Sequence, residues 1–161
     1  MKELSDFAQN LAREAGGLLY EKLNSQHQVQ YKGTIDLVTE ADKMSEDLII
    51  TAISRRYPEH GILSEESAEK NERASVRWII DPLDGTTNYA HGFPFFCVSI
   101  ALEQDGKMIL GVIYDPIRDE LFTAERQGGA FCNGRKLGVS SVGDLSRSLL
   151  ATGFPYDIRV S

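Results

Sequence analysis

Apolar residues recur at three- and four-residue steps from the start of the chain. Leu4, Phe7, Ala8, Leu11, Ala12, Ala15, Leu18 and Leu19 line one face of a helix expected to run to about Leu23. The polar stretch Asn24 to Gln30 reads as a connection. A second helix is expected from about Glu40 to Arg56, with Ala41, Leu48, Ile49, Ala52 and Ile53 on its apolar side. Thr39 offers an N-cap and Pro58 a stop. Beyond Pro58 the pattern changes to short apolar runs between turn residues, the mark of strands. Gly61 to Leu63 and Val76 to Ile80 are two of them. Phe95 to Leu102 and Met108 to Tyr114 flank Asp105-Gly106, a strong hairpin pair. Asp115-Pro116 turns the chain, Leu121 to Ala124 follows, Asn133-Gly134 makes another tight turn, and Ser148 to Thr152 reads as a last strand. Helices first and hairpin-linked strands afterwards predict an α+β fold: two N-terminal helices packed on a largely antiparallel sheet.

Composition sets limits on function. The 161 residues suffice for one domain with its own core, and 42% hydrophobic with 25% charged residues is an ordinary globular balance. No apolar run nears the roughly 20 residues that span a bilayer, so no membrane partner is expected. The N-terminus lacks a secretory h-region, and Cys97 and Cys132 lack metal-ligand spacing; the expected location is the cytoplasm. The net charge of −7 argues against direct nucleic-acid contact.

The acids become informative where they gather. Asp81 follows a buried strand, and Pro82 fixes the backbone after it. Asp84 comes three residues later, so one turn can aim both carboxylates and the Leu83 carbonyl at one point. Hard cations such as Mg²⁺ take oxygen donors of this kind. Gly85-Thr86-Thr87-Asn88 follows, and a helix starting there would offer the amides of Gly85 and Thr86 to an anion. Glu65 and Glu66 reach the same cleft if their strand neighbours that of Asp81, and two metals about 3.5–4 Å apart could then share Asp81. Thr86 is the candidate for orienting a water. Each feature also has an ordinary structural reading. Asp-Pro and Asp-Gly are turn formers, Glu65-Glu66 can be a solvated pair, and Asp42 can complete a capping box with Thr39. His91 reads as a surface residue and Cys97 as a core residue in mid-strand.

Together the segments resemble one family. Asp81-Pro82-Leu83-Asp84-Gly85-Thr86-Thr87-Asn88 is similar to the signature of the inositol monophosphatase family of Mg²⁺-dependent, lithium-sensitive phosphatases. Lys32 to Asp42, Leu63-Ser64-Glu65-Glu66-Ser67 and the glycine-rich Gly128 to Gly134 resemble further family segments in order and spacing.

The resemblance implies the first half of a layered α/β/α/β/α sandwich. Residues 1–161 would form its N-terminal metal- and phosphate-binding domain, with the C-terminal domain and its Trp-Asp segment absent. It implies two or three Mg²⁺ ions held by Glu65, Asp81, the Leu83 carbonyl and Asp84. Glu65, Thr86 and Asp42 would be catalytic, and Gly85, Thr86 and Asp84 would bind substrate. The implied substrate is inositol 1-phosphate or a related small polyol phosphate, hydrolysed by metal-activated water, and the implied assembly is a homodimer. Fructose-1,6-bisphosphatase or histidinol-phosphatase specificity, and an inactive regulatory module of the kind some bacterial members form toward the RNA machinery, are the alternatives.

Overall fold

The computed structural model describes residues 1–25, 34–65, 67 and 69–152. The expected connection at 26–30, the segment at 32–33, Glu66 and the terminal Gly153 to Tyr156 lie outside the described residues. Helix α1 spans Lys2–Ser25 and α2 spans Thr34–Arg56. Strands β1 (Gly61–Ser64) and β2 (Val76–Asp84) follow, then the short helix α3 (Thr86–Ala90). Strands β3 (Cys97–Gln104), β4 (Lys107–Asp115), β5 (Glu120–Glu125), β6 (Gly129–Cys132) and β7 (Arg135–Lys136) complete the sheet. The seven strands lie in chain order; β1 and β2 are parallel, and every later pair is antiparallel. This is the expected α+β architecture.

The apolar face of α1 packs on β3 and β4, while α2 packs on β2. Leu11, Ala15 and Leu19 of α1 and Ile49 and Ile53 of α2 meet Trp78, Ile80, Val98, Ile100, Leu102 and Val112 of the sheet. Strand alternation is clean: Val98, Ile100 and Leu102 are fully buried, while Ser99 and Ala101 between them are partly exposed. Both expected hairpin turns form. Asp105 and Gly106 have φ of 50° and 75°, and Asn133 and Gly134 have 48° and 76°, the paired positive values of a type I′ turn.

Three expectations need correction. Helix α2 begins at Thr34, so Thr39 lies inside it and is not the N-cap. Extending an existing helix costs only tenths of a kcal/mol per residue, so a residue suited to capping does not stop it. Residues 148–152 form no strand, and Leu149 is 100% exposed. The outermost strand, β7, has two residues, too short an edge to pair with a further apolar run. Cys97 opens β3 rather than lying in mid-strand and stands outside the buried core, because alternation puts it with Ser99 on the face opposite buried Val98 and Ile100.

Two neighbouring glycines of α1 separate packing from propensity. A Cβ on Gly16 would sit 2.5 Å from Cδ1 of Tyr114, whereas one on Gly17 would meet nothing within 4 Å. The Tyr114 ring cannot easily retreat: its hydroxyl donates to Asp119 at 3.0 Å, and the Arg13 guanidinium lies 5.0 Å above the ring. Gly16→Ala is therefore expected to destabilise by about 1–3 kcal/mol. Gly17→Ala should stabilise by roughly 0.5–1 kcal/mol through helix propensity. Urea denaturation of the two variants checks this, and equal stabilities would contradict the packing.

Candidate active site

Parallel pairing of β1 and β2 builds the site. Ser64 stands opposite Ile80, and the Glu65 N–H continues the ladder by donating to the Ile80 carbonyl at 3.3 Å. Glu65 and Asp81 are thus the next residues on two adjacent strands. Asp81 is half-buried, and its Oδ1 accepts from the Leu83 N–H at 3.2 Å. Strand β2 runs on through Pro82 because the register slips between Asp81 and Asp84. The missing proline donor falls where no ladder bond is needed. Asp84 ends the strand, exposed, and its Oδ2 accepts from the Cys97 thiol at 3.6 Å.

Asp81 is held well above the ordinary carboxylate range, up to about 7. Burial is the largest cause, followed by the charges of Glu65 and then Asp84; the Leu83 amide pulls the other way. No ion pair among the described residues relieves these three acids. Arg77 is committed to Glu69 and Glu103, Arg118 to Asp115, and Arg13 to Asp119. Among the described residues no group of three or more His, Cys, Asp or Glu side chains is already drawn into a ligating array. Mg²⁺ does not require one, since it takes carbonyl oxygens and retains waters. Carboxylates set side by side at a strand end, with no ion pair to them among the described residues, fit a divalent ion.

The backbone beyond Asp84 turns sharply from strand to helix. Gly85 caps α3 at φ 96°, ψ 33°, and a Cβ there would lie 3.0 Å from the Phe95 carbonyl. No side chain caps the first turn of α3. With five residues α3 carries little dipole, so a phosphate here would depend on the Gly85 and Thr86 amides at its start, which no side chain caps. The Asn88 amide donates to the Phe95 carbonyl at 2.8 Å and pins the loop. The Thr86 hydroxyl donates to the Leu83 carbonyl at 3.0 Å, which leaves its lone pairs free to accept from a water. A cavity of about 330 Å³ opens beside Asp84 and Gly85.

Other expected residues fall differently. Asp42 is buried in the interior of α2, so the capping-box reading fails because the helix begins eight residues earlier. Asp42, Ser45 and Glu46 share one helix face. Sequence reasoning missed the last two. The Ser45 hydroxyl donates to the Pro82 carbonyl at 2.8 Å, and Glu46 accepts from Ser64. His91 is exposed, as expected.

Fold and acidic edge together define an α+β protein with a candidate cation and phosphate site where two parallel strands end. The chain matches the sequence model of the inositol monophosphatase family over residues 1–161, and it belongs to that family. It is 46% identical over 154 residues to the inositol monophosphatase of Dictyostelium discoideum, covering 93% of this chain and 57% of that protein. It is 44% identical over 162 residues to Nus factor SuhB of Escherichia coli (strain K12), covering 99% of this chain and 61% of that protein. The solved structure of inositol monophosphatase from Anabaena (Nostoc) sp. PCC 7120 aligns with a TM-score of 0.85 at 45% identity, over 97% of this chain and 57% of that one. The chain spans 57–61% of the length of these relatives.

The raised Asp81 has a thermodynamic signature. Its carboxyl binds a proton more tightly in the fold than in the unfolded chain, where the ordinary value is 3.8. Between about 4 and 7 the native state therefore holds more protons, and stability falls as pH rises through that window. In chelator, the wild type should gain melting temperature on going from about pH 8 to about pH 5 relative to Asp81→Asn. Parallel melting profiles for the two proteins would contradict the assignment.

Proposed function

We propose that this chain forms the metal- and phosphate-binding part of a phosphomonoesterase acting on inositol 1-phosphate or a related small polyol phosphate. The observation that carries the reading is the gathering of Glu65 and Asp84 around half-buried Asp81, beside the Leu83 carbonyl and the Thr86 hydroxyl. Glu65, Asp81, the Leu83 carbonyl and Asp84 would hold two Mg²⁺ ions, with Glu65 also facing a third. When bound, the cations supply charge neutralisation and acidify a water enough for it to attack phosphorus.

The chain's own groups do the rest. Thr86, its proton engaged by the Leu83 carbonyl, accepts a hydrogen bond from the attacking water and aims it. Glu65 assists in taking that water's proton, and Asp42 supports Thr86 from α2. The Gly85 and Thr86 amides receive the phosphate oxygens. Asp84, exposed at the strand end, would hold a water that gives its proton to the departing alkoxide. A covalent phosphoenzyme is not part of the scheme. Cys97, the nearby thiol, is pushed up to about 12, mainly by burial and then by Asp84, and is a poor nucleophile. Arg118, which lines the adjoining cavity, is spent on Asp115 at 2.7 Å and on the Phe95 ring. Amides and cations, rather than an arginine, therefore anchor the phosphate. A cytoplasmic homodimer is the working form of this reading.

The name of the SuhB relative motivates a second reading, a regulatory module that keeps the site without turnover. The net charge of −7 weighs against direct RNA contact.

The intact protein should release phosphate from inositol 1-phosphate with Mg²⁺ and be inhibited by lithium. Asp81→Asn and Asp84→Asn should each lower kcat by about a hundredfold or more. Turnover within a fewfold of wild type would sink the metal assignment. Mg²⁺ binding by calorimetry with no turnover on any phosphate monoester would favour the module.

A further inference from the structure

Helix α2 contributes no metal ligand under the reading above, yet two adjacent side chains on it reach both strand ends that carry the ligands. Ser45 is fully buried, and Glu46 and Ser64 are buried at 5% and 6% exposure. We propose that Ser45 and Glu46 are positioning residues that set the spacing of the cation ligands. The proposal rests on the metal assignment of the preceding subsection.

Ser45 acts through one peptide group. Its hydroxyl donates to the Pro82 carbonyl at 2.8 Å. The same peptide unit carries the Leu83 N–H, which donates to Asp81 Oδ1 at 3.2 Å. A peptide is planar, so fixing the direction of its C=O fixes the direction of its N–H. Ser45 therefore orients the group that orients Asp81, and the next carbonyl along is that of Leu83. Glu46 acts on the other strand. It accepts a hydrogen bond from Ser64, the last residue of β1, and Glu65 follows at once. One turn of α2 thus grips the residue before Glu65 and the Pro82–Leu83 peptide. Packing alone does not call for these groups. Ala41, Ile49 and Ile53 continue the same four-residue stripe, and an alanine at position 45 would bury as well.

The test is Mn²⁺ affinity of the intact protein by calorimetry, with melting temperature measured alongside. Removing a buried partner leaves the Pro82 carbonyl unsatisfied and loosens the peptide. Ser45→Ala is expected to weaken Mn²⁺ binding about tenfold and to raise the half-saturating Mg²⁺ concentration by a similar factor, with kcat recovered at saturating metal. Glu46→Leu should act likewise, and Glu46→Gln, which keeps an acceptor for Ser64, should restore affinity to within about twofold. A purely structural role would lower melting temperature and leave affinity untouched. Ser45→Ala bound within twofold of wild type would overturn the proposal while leaving the metal assignment intact, and it decides the matter if Glu46→Leu fails to fold. A wild type that binds no Mn²⁺ would overturn both.

Discussion

The site depends on two parallel strands ending side by side with like charges on the next residue of each. With Ser64 opposite Ile80, Glu65 and Asp81 have no choice but to meet. Such a pairing demands a crossover, because parallel strands cannot be joined by a tight turn. Part of that crossover is visible: Lys70 exchanges both backbone hydrogen bonds with Ile62 at 2.9 Å, and Arg77 ties Glu69 to Glu103. The Arg77 charge is thereby used to hold the connection, at the end of β2 away from the acids. The repulsion at the other end is left standing, and the large apolar core around Trp78 and Ile80 is what keeps the strands together despite it.

Backbone geometry handles the opposite charge. At Gly85 the chain must turn from strand to helix within one residue, at a φ favouring glycine and against a carbonyl that leaves no room for a Cβ. Acids at 81 and 84 and the uncapped start of α3 at 85 and 86 therefore lie within six residues. In the proposed reading, cation and anion sites so close would reinforce each other only if both were rigid. The Thr86–Leu83 and Asn88–Phe95 hydrogen bonds fasten the turn on both sides.

Much of this was legible in the sequence because it is local. Helix α1 followed from a strict apolar stripe, and the hairpins from Asp105-Gly106 and Asn133-Gly134, residues that tolerate the positive φ a type I′ turn needs. The acidic turn was legible as a motif, and its partner Glu65 as a possibility conditional on strand order. What escaped was non-local. The start of α2 could not be read from Thr39, since capping chemistry is permissive rather than obligatory. Residues 148–152 carry strand-like residues but have no edge to join, which only the assembled sheet reveals. Ser45 left one trace, a polar residue interrupting the stripe of Ala41, Ile49 and Ile53. That interruption is visible in sequence, but its partner is a carbonyl thirty-seven residues away.

The two aspartates of the turn differ in a way that spacing alone does not convey. Asp81 is half-buried and bonded to an amide, and Asp84 is exposed and bonded to a thiol. Burial raises the cost of charge on Asp81, so its carboxylate gains most from a nearby cation and has least freedom to move. Asp84 pays little desolvation and stays in touch with water. A two-carboxylate site in which both members were buried would hold a cation but have no route for a proton. One in which both were exposed would exchange protons but place the cation loosely. In the proposed reaction the division follows from the register slip between residues 81 and 84. It lets a single strand present one acid half-buried and the next at its surface.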